Sequence, residues 1–248
     1  MIIISARCLS FTCRPAKGWA EALKLAHRAL ELDPRFGLVA ALAGRCHLRN
    51  VLWGYANDPE FERKEALRLV RLALSADDDD PETLVTACTV SSWLVGASES
   101  EIEMADRAVA LNPNSYSASL GRGHVYRNAG QPEEAIRSFE RAMRTSPVDP
   151  LIHSTLYGMG MAFIELGRFD EAIVAGKKAQ RQNPSYMGGY RCLASALAHL
   201  GRDAEAREAA ARLLKVDPTF TISAYIARGG QANSTLLIEG LRKAGLPE

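Results

Sequence analysis

Residues 156–184 read LYGMGMAFIELGRFDEAIVAGKKAQRQNP, and the spacing of their small and apolar residues decides the fold. Leu156, Met159, Gly160 and Phe163 advance by three, one and three, which places them on one helical face; Gly160 removes a side chain where another helix must come close. Leu166-Gly167-Arg168 ends that helix, because glycine accepts the left-handed conformation favoured past a helix C-terminus. Asp170 is then placed to cap a second helix, on which Ala172, Ile173, Ala175 and Ala179 form a narrow small-residue face. Asn183-Pro184 stops it, since proline disfavours helical geometry in the residue before it.

The pattern recurs. About 34 residues later, Tyr190, Leu193, Ala194, Leu197, Ala206, Leu213 and Pro218 occupy the equivalent places, with Leu200-Gly201-Arg202 at the turn. One period earlier Gly123, Tyr126, Ala135, Phe139, Ala142 and Pro147 fit, with Asn128-Ala129-Gly130 as the turn; Val148 to Pro150 are three extra residues before the register resumes. This spacing resembles the tetratricopeptide repeat (TPR). It predicts an all-α chain, a right-handed superhelical TPR solenoid of antiparallel helix pairs.

Extended along the chain, the ruler gives an irregular or poorly ordered lead over 1–17 and a repeat array over 18–220. A first partial repeat contributes only its second helix, 18–35, marked by Trp19, Ala22, Leu23, Ala26, Ala29 and Leu30. Repeats follow at about 36–81, 82–115, 116–152, 153–186 and 187–220. The first of these carries an insertion around Trp53 and Tyr55, and the second has a compressed turn from Gly96 to Ser100. Asp77 to Asp80 lacks the alternation, glycine and distal glutamate of a calcium loop, so it reads as a solvated turn in which Asp80 caps the helix opening at Pro81. Residues 221–248 read as a capping segment: a short helix or turn at Phe220, Ile222, Tyr225 and Ile226, then an amphipathic stretch around Leu236, Leu237 and Leu241 whose polar outer side suits the end of a stack.

Charge narrows the function. The 248 residues carry 30 basic against 29 acidic groups, which removes the simplest argument for a nucleic-acid or anionic-membrane partner. No stretch approaches the roughly 20 apolar residues of a membrane span, so a soluble, cytoplasmic protein is expected. The five cysteines, Cys8, Cys13, Cys46, Cys88 and Cys192, are scattered and odd in number, which suits reduced thiols. Cys46-His47 point in different directions on a helix and make a poor metal pair; isolated or surface residues are the better reading. Gly121-x-Gly123 and Gly158-x-Gly160 lie inside first helices without the strand of a phosphate loop, so they read as close-packing sites. No nucleophile, base and orienting acid emerge as a set. The expectation is therefore a protein that is not an enzyme, with no catalytic residue, cofactor or metal.

What remains is a surface. In stacked helical pairs the first helix of each repeat lines the concave side. Its non-core residues are Arg45, Arg49, His124, Arg127, Asn128, Tyr157, Met161, Glu165, Arg191, Ser195 and His199. Moderately basic, with aromatic and thioether character, they suit an extended or helical peptide bearing some acidic groups; the alternative is an ordinary solvated face. Where TPR domains that clamp a C-terminal carboxylate carry lysine and asparagine, this chain has Leu120, Tyr157 and Gly158.

Three stretches carry a further resemblance. Val51-Leu52-Trp53-Gly54 with Asp58-Pro59, then residues 110–115 (ALNPNS), then the closing GLRKAGLPE of residues 240–248 resemble the C-terminal TPR half of bacterial class III adenylate cyclases. The resemblance runs from about Trp19 onward. It implies a regulatory or interaction segment, detached or truncated, without nucleotide-cyclising activity.

Overall fold

The structure is a computed structural model that describes residues 15–229 and 234–248. Every regular element among them is a helix. The chain divides into two compact units, the first ending at Gly130 and the second starting at Gln131. The lead expected to be irregular lies, through residue 14, outside the described residues, as do Cys8 and Cys13; residues 15–17 form the opening of the first helix.

The first unit holds α1 (Pro15–Leu32), α2 (Gly37–Leu52), α3 (Pro59–Ala76), α4 (Pro81–Leu94), α5 (Glu99–Leu111) and α6 (Tyr116–Asn128). Capping fixes several starts. The Asp58 carboxylate accepts from the Glu60 and Phe61 amides at 3.1 and 3.0 Å, and Asp80 accepts from the Thr83 amide at 2.7 Å just ahead of Pro81. α2 packs on α1, α3 and α4, while α6 packs on α4 and α5, so α2, α4 and α6 stand side by side. Alanine dominates their seams: Ala40, Ala43 and Ala73 join Leu69 in one cluster, and Ala105, Ala108 and Ala118 join Leu84 and Val125 in another. Small side chains let the helix axes approach closely.

The second unit holds α7 (Pro132–Thr145), α8 (Ile152–Glu165), α9 (Phe169–Gln182), α10 (Met187–His199), α11 (Asp203–Val216), α12 (Ile222–Ala227) and α13 (Thr235–Lys243). The turns α8–α9 and α10–α11 repeat atom for atom. Gly167 and Gly201 adopt φ of 70° and 68°; the amides that follow, Arg168 and Arg202, donate back to Phe163 O and Leu197 O at 2.8 and 3.0 Å. Both helices then end before an Asx-Pro pair whose side chain accepts a backbone amide two residues on, Ser185 N to Asn183 and Thr219 N to Asp217, each at 3.1 Å.

Two sequence expectations change here. Asp170 does not cap α9: the helix opens two residues earlier than such a cap requires, at Phe169, with Arg168 in the N-cap position, and Asp170 lies in the first turn beside the positive end of the helix dipole. Cys46 and His47 are neither isolated nor on the surface. Both are buried, and His47 Nδ1 meets Glu62 Oε2 of α3 at 2.5 Å.

Close packing explains the helical glycines. A Cβ on Gly160 would stand 2.5 Å from Cys192 Sγ on α10, one on Gly158 2.6 Å from the Phe139 ring on α7, and one on Gly121 2.2 Å from Val85 on α4. Each glycine therefore seats a neighbouring helix rather than a phosphate.

Candidate functional site

In the first unit, the face of α2, α4 and α6 gathers cations and indole rings. Arg45 and Arg49 are one turn apart on α2. The Arg49 guanidinium lies 5.3 Å from the centre of the Trp19 ring and 6.0 Å from that of Trp53. On α6, Arg127 is only 5% exposed; its guanidinium sits 5.4 Å over Trp93 of α4 and donates to Asn128 Oδ1 at 2.8 Å, while Asn128 donates to Ser92 Oγ at 3.2 Å. Stacking on indole holds a guanidinium in place while leaving its edge able to donate.

Burial acts on the titratable groups of this face, and at His124 the neighbouring guanidiniums act with it. Burial, together with Arg127 and Arg49, pushes the His124 imidazole down to about 3, so it is neutral at physiological pH. Burial also lowers the pKa of Arg45, against which Cys46 and Glu82 pull upward. The structure thus brings Arg45, Arg49, His124, Arg127 and Asn128 onto one face. In the sequence Trp19 marks a helix face and Trp53 an insertion, and no spacing ties either of them, or Trp93, to these arginines.

The corresponding face of the second unit is closed by the chain itself. α13 packs on α10 and reaches α8. Leu237 and Leu241 are fully buried there, and a Cβ on Gly240 would fall 2.1 Å from Ser195 Oγ. Ser195 and His199, expected on an open concave surface, instead lie beneath α13: Ser195 Oγ donates to Leu236 O at 3.3 Å and His199 Nε2 to the same oxygen at 2.6 Å. His199 also stacks on Phe169, with ring centres 4.5 Å apart. Met161 is fully buried, Tyr157 is 8% exposed, and Glu165 is half-buried at the end of α8.

Arg191 lies among aromatic rings. Its guanidinium sits 4.6 Å from the ring centre of Tyr225 on α12 and 5.6 Å from that of Tyr157, and the two phenol oxygens are 3.4 Å apart. Burial opposes its charge, and the phenols of Tyr157, Tyr225 and Tyr186 outweigh that, so its pKa is raised. Its Nε is buried with no hydrogen-bond partner.

A third feature carries no signal in the repeat pattern. A cleft of about 540 Å³ opens among α7, α8 and α9, walled by Met143, Ile152, Leu156, Met159 and Val174, with Pro147 at its edge beside the three-residue insertion.

Chemistry is sparse by contrast. Among the described residues no cluster of three His, Cys, Asp or Glu could hold a metal ion, and no helix is long and apolar enough to cross a membrane. Burial drives the Cys46, Cys88 and Cys192 thiols up to about 11, 12 and 12, so they stay protonated and unreactive.

Comparison with known proteins agrees with this architecture. The tetratricopeptide repeat family model matches residues 102–150 and 157–219. No curated protein matches the sequence. Among solved structures, a chain of the APC/C hetero-tetramer Cut9–Hcn1 superposes with a TM-score of 0.67 at 16% identity, over 93% of this chain and 40% of that one. TTC0263, a thermophilic TPR protein of Thermus thermophilus, gives 0.58 at 22% identity over 78% of this chain and all of that one. PilW, a type IV pilus biogenesis factor, gives 0.58 at 15% over 82% and 93%. At such identities the likeness is one of fold: an all-helical TPR solenoid.

Proposed function

We propose that this tetratricopeptide-repeat chain is a non-catalytic scaffold that holds a peptide segment of a partner protein on the face of α2, α4 and α6. The observation that carries it is the stacking of the Arg49 guanidinium on Trp19 and Trp53 and of the Arg127 guanidinium on Trp93 around a neutral His124, with Arg45 one turn from Arg49 on α2. Such a surface matches an acidic side chain flanked by an apolar one: the guanidinium edge takes the carboxylate, and the indoles take the apolar neighbour. The buried, protonated thiols suit a reducing, cytoplasmic setting.

The test is selection from a random peptide library on the full chain. Enriched peptides are expected to pair Asp or Glu with an aromatic or large aliphatic residue, and to lose at least about tenfold in affinity on Arg49→Glu with an unchanged thermal midpoint. Enrichment without acidic bias, or undiminished binding to Arg49→Glu, would refute the assignment.

A second reading rests on the closing GLRKAGLPE and the two stretches that accompany it. On that reading the repeats are the regulatory part of an adenylate cyclase-like signalling protein. Stimulation or inhibition of a class III cyclase domain by added chain supports it, and an unchanged cyclase rate counts against it.

A further inference from the structure

The second unit shows what its own face accepts, because a segment of the chain already fills it. α13 lies in the groove of α10 and α8 as a short amphipathic helix: Leu237, Ile238 and Leu241 face inward, and Gly240 lets the helix settle onto Ser195. A helix of nine residues has little stability of its own, so its place is held by packing. That packing is imperfect. The N-cap residue Ser234 makes no side-chain cap, and its hydroxyl is buried with no hydrogen-bond partner.

The larger mismatch is at Arg191. The resident segment offers this half-buried guanidinium the face of Tyr225, and the groove adds the phenols of Tyr157, its hydrogen-bond partner, and Tyr186. No carboxylate among the described residues is paired with it, and its Nε remains unsatisfied. A guanidinium held partly out of water gains most from a bidentate carboxylate, which an aromatic ring cannot replace.

We propose that the α8–α10 face is a binding site for an amphipathic partner helix and that α12 and α13 are its tethered resident. The partner displaces them by presenting the same leucine-and-glycine ridge together with a carboxylate for Arg191. The site is separate from the arginine–tryptophan face of the first unit, so Arg49→Glu leaves it intact and failure of either reading is visible by itself.

The experiment uses the full chain and two fluorescein-labelled synthetic peptides: residues 220–248 as they stand, and the same peptide with Tyr225→Glu. Hydrogen exchange is expected to show the α13 amides opening at least about 100-fold more often than those of α8 and α10. The Tyr225→Glu peptide is expected to bind at least about tenfold more tightly than the unaltered one, and Arg191→Gln in the chain to abolish that difference while circular dichroism shows it folded. If Arg191→Gln does not fold, Gly240→Leu gives the second handle. Its side chain would run into Ser195, loosen α13 and raise the affinity for both peptides. The proposal is overturned if α13 is as protected as α10 and neither peptide binds, if Gly240→Leu leaves peptide affinity unchanged, or if Arg191→Gln retains the preference for the acidic peptide.

Discussion

Replacing Gly160 by alanine tests the helix packing through a change of sign. In an unobstructed helix interior the substitution stabilises by about 1 kcal/mol, because glycine loses more backbone freedom on folding. Here the new Cβ would lie 2.5 Å from Cys192 Sγ, while its next neighbours, Ala175 Cβ and Ala172 O, are at 3.6 and 3.7 Å, an ordinary contact range. The sulfur alone carries the clash, and it is fully buried with its thiol directed at Ala172 O, so it has little room to turn aside. Overpacking of this kind costs about 1–3 kcal/mol, so Gly160→Ala should be net destabilising by about 1 kcal/mol. Cys192→Ala takes the obstructing atom away at a cost of about 1 kcal/mol from the space it leaves. In that background Gly160→Ala should stabilise by about 1 kcal/mol, a coupling of about 2 kcal/mol between the two positions. Urea unfolding followed by far-ultraviolet circular dichroism, with unchanged m-values across the four chains, measures it. If Gly160→Ala has the same sign in both backgrounds, the seating of α10 on α8 at this glycine is wrong.

His124 predicts an acid sensitivity. Its pKa falls from 6.5 to about 3 on folding through burial and the nearby Arg127 and Arg49, so between those values the unfolded chain binds the proton and the folded chain does not. Stability is therefore lost as pH falls below about 6.5, by about 2 kcal/mol at pH 5, and His124→Phe should flatten that part of the profile in urea titrations at successive pH values. At the N-terminus of α4, Asp80→Ala removes the acceptor of the Thr83 amide and should lower unfolding stability by about 1 kcal/mol, whereas Asp79→Ala, outside that cap, should change it by less than about 0.5 kcal/mol.

The sequence by itself determined the helices and their order. Periodic small residues, Asx-Pro stops and glycine turns are local devices that act within a few residues, so the α8 to α11 boundaries follow from them with few corrections. Asp170 shows the limit: propensity marks a capping residue, but the turn geometry set by Gly167 decides which residue stands at the cap, and that was Arg168. The basic face of the first unit was half legible. Arg45, Arg49 and Arg127 follow from helical phase, but the indoles beneath Arg49 and Arg127 come from α1, α4 and a loop, and no spacing rule links residues that meet only after folding. Tertiary structure alone decided the second unit's face. The amphipathic stretch around Leu237 and Leu241 reads as a cap for the end of a stack, yet it turns back onto α10 and α8, because Gly240 and the hydroxyl and imidazole of Ser195 and His199 fit one another there. A hydrophobic pattern specifies that a helix must bury one side; which groove receives it depends on shape and hydrogen bonding assembled from distant parts of the chain.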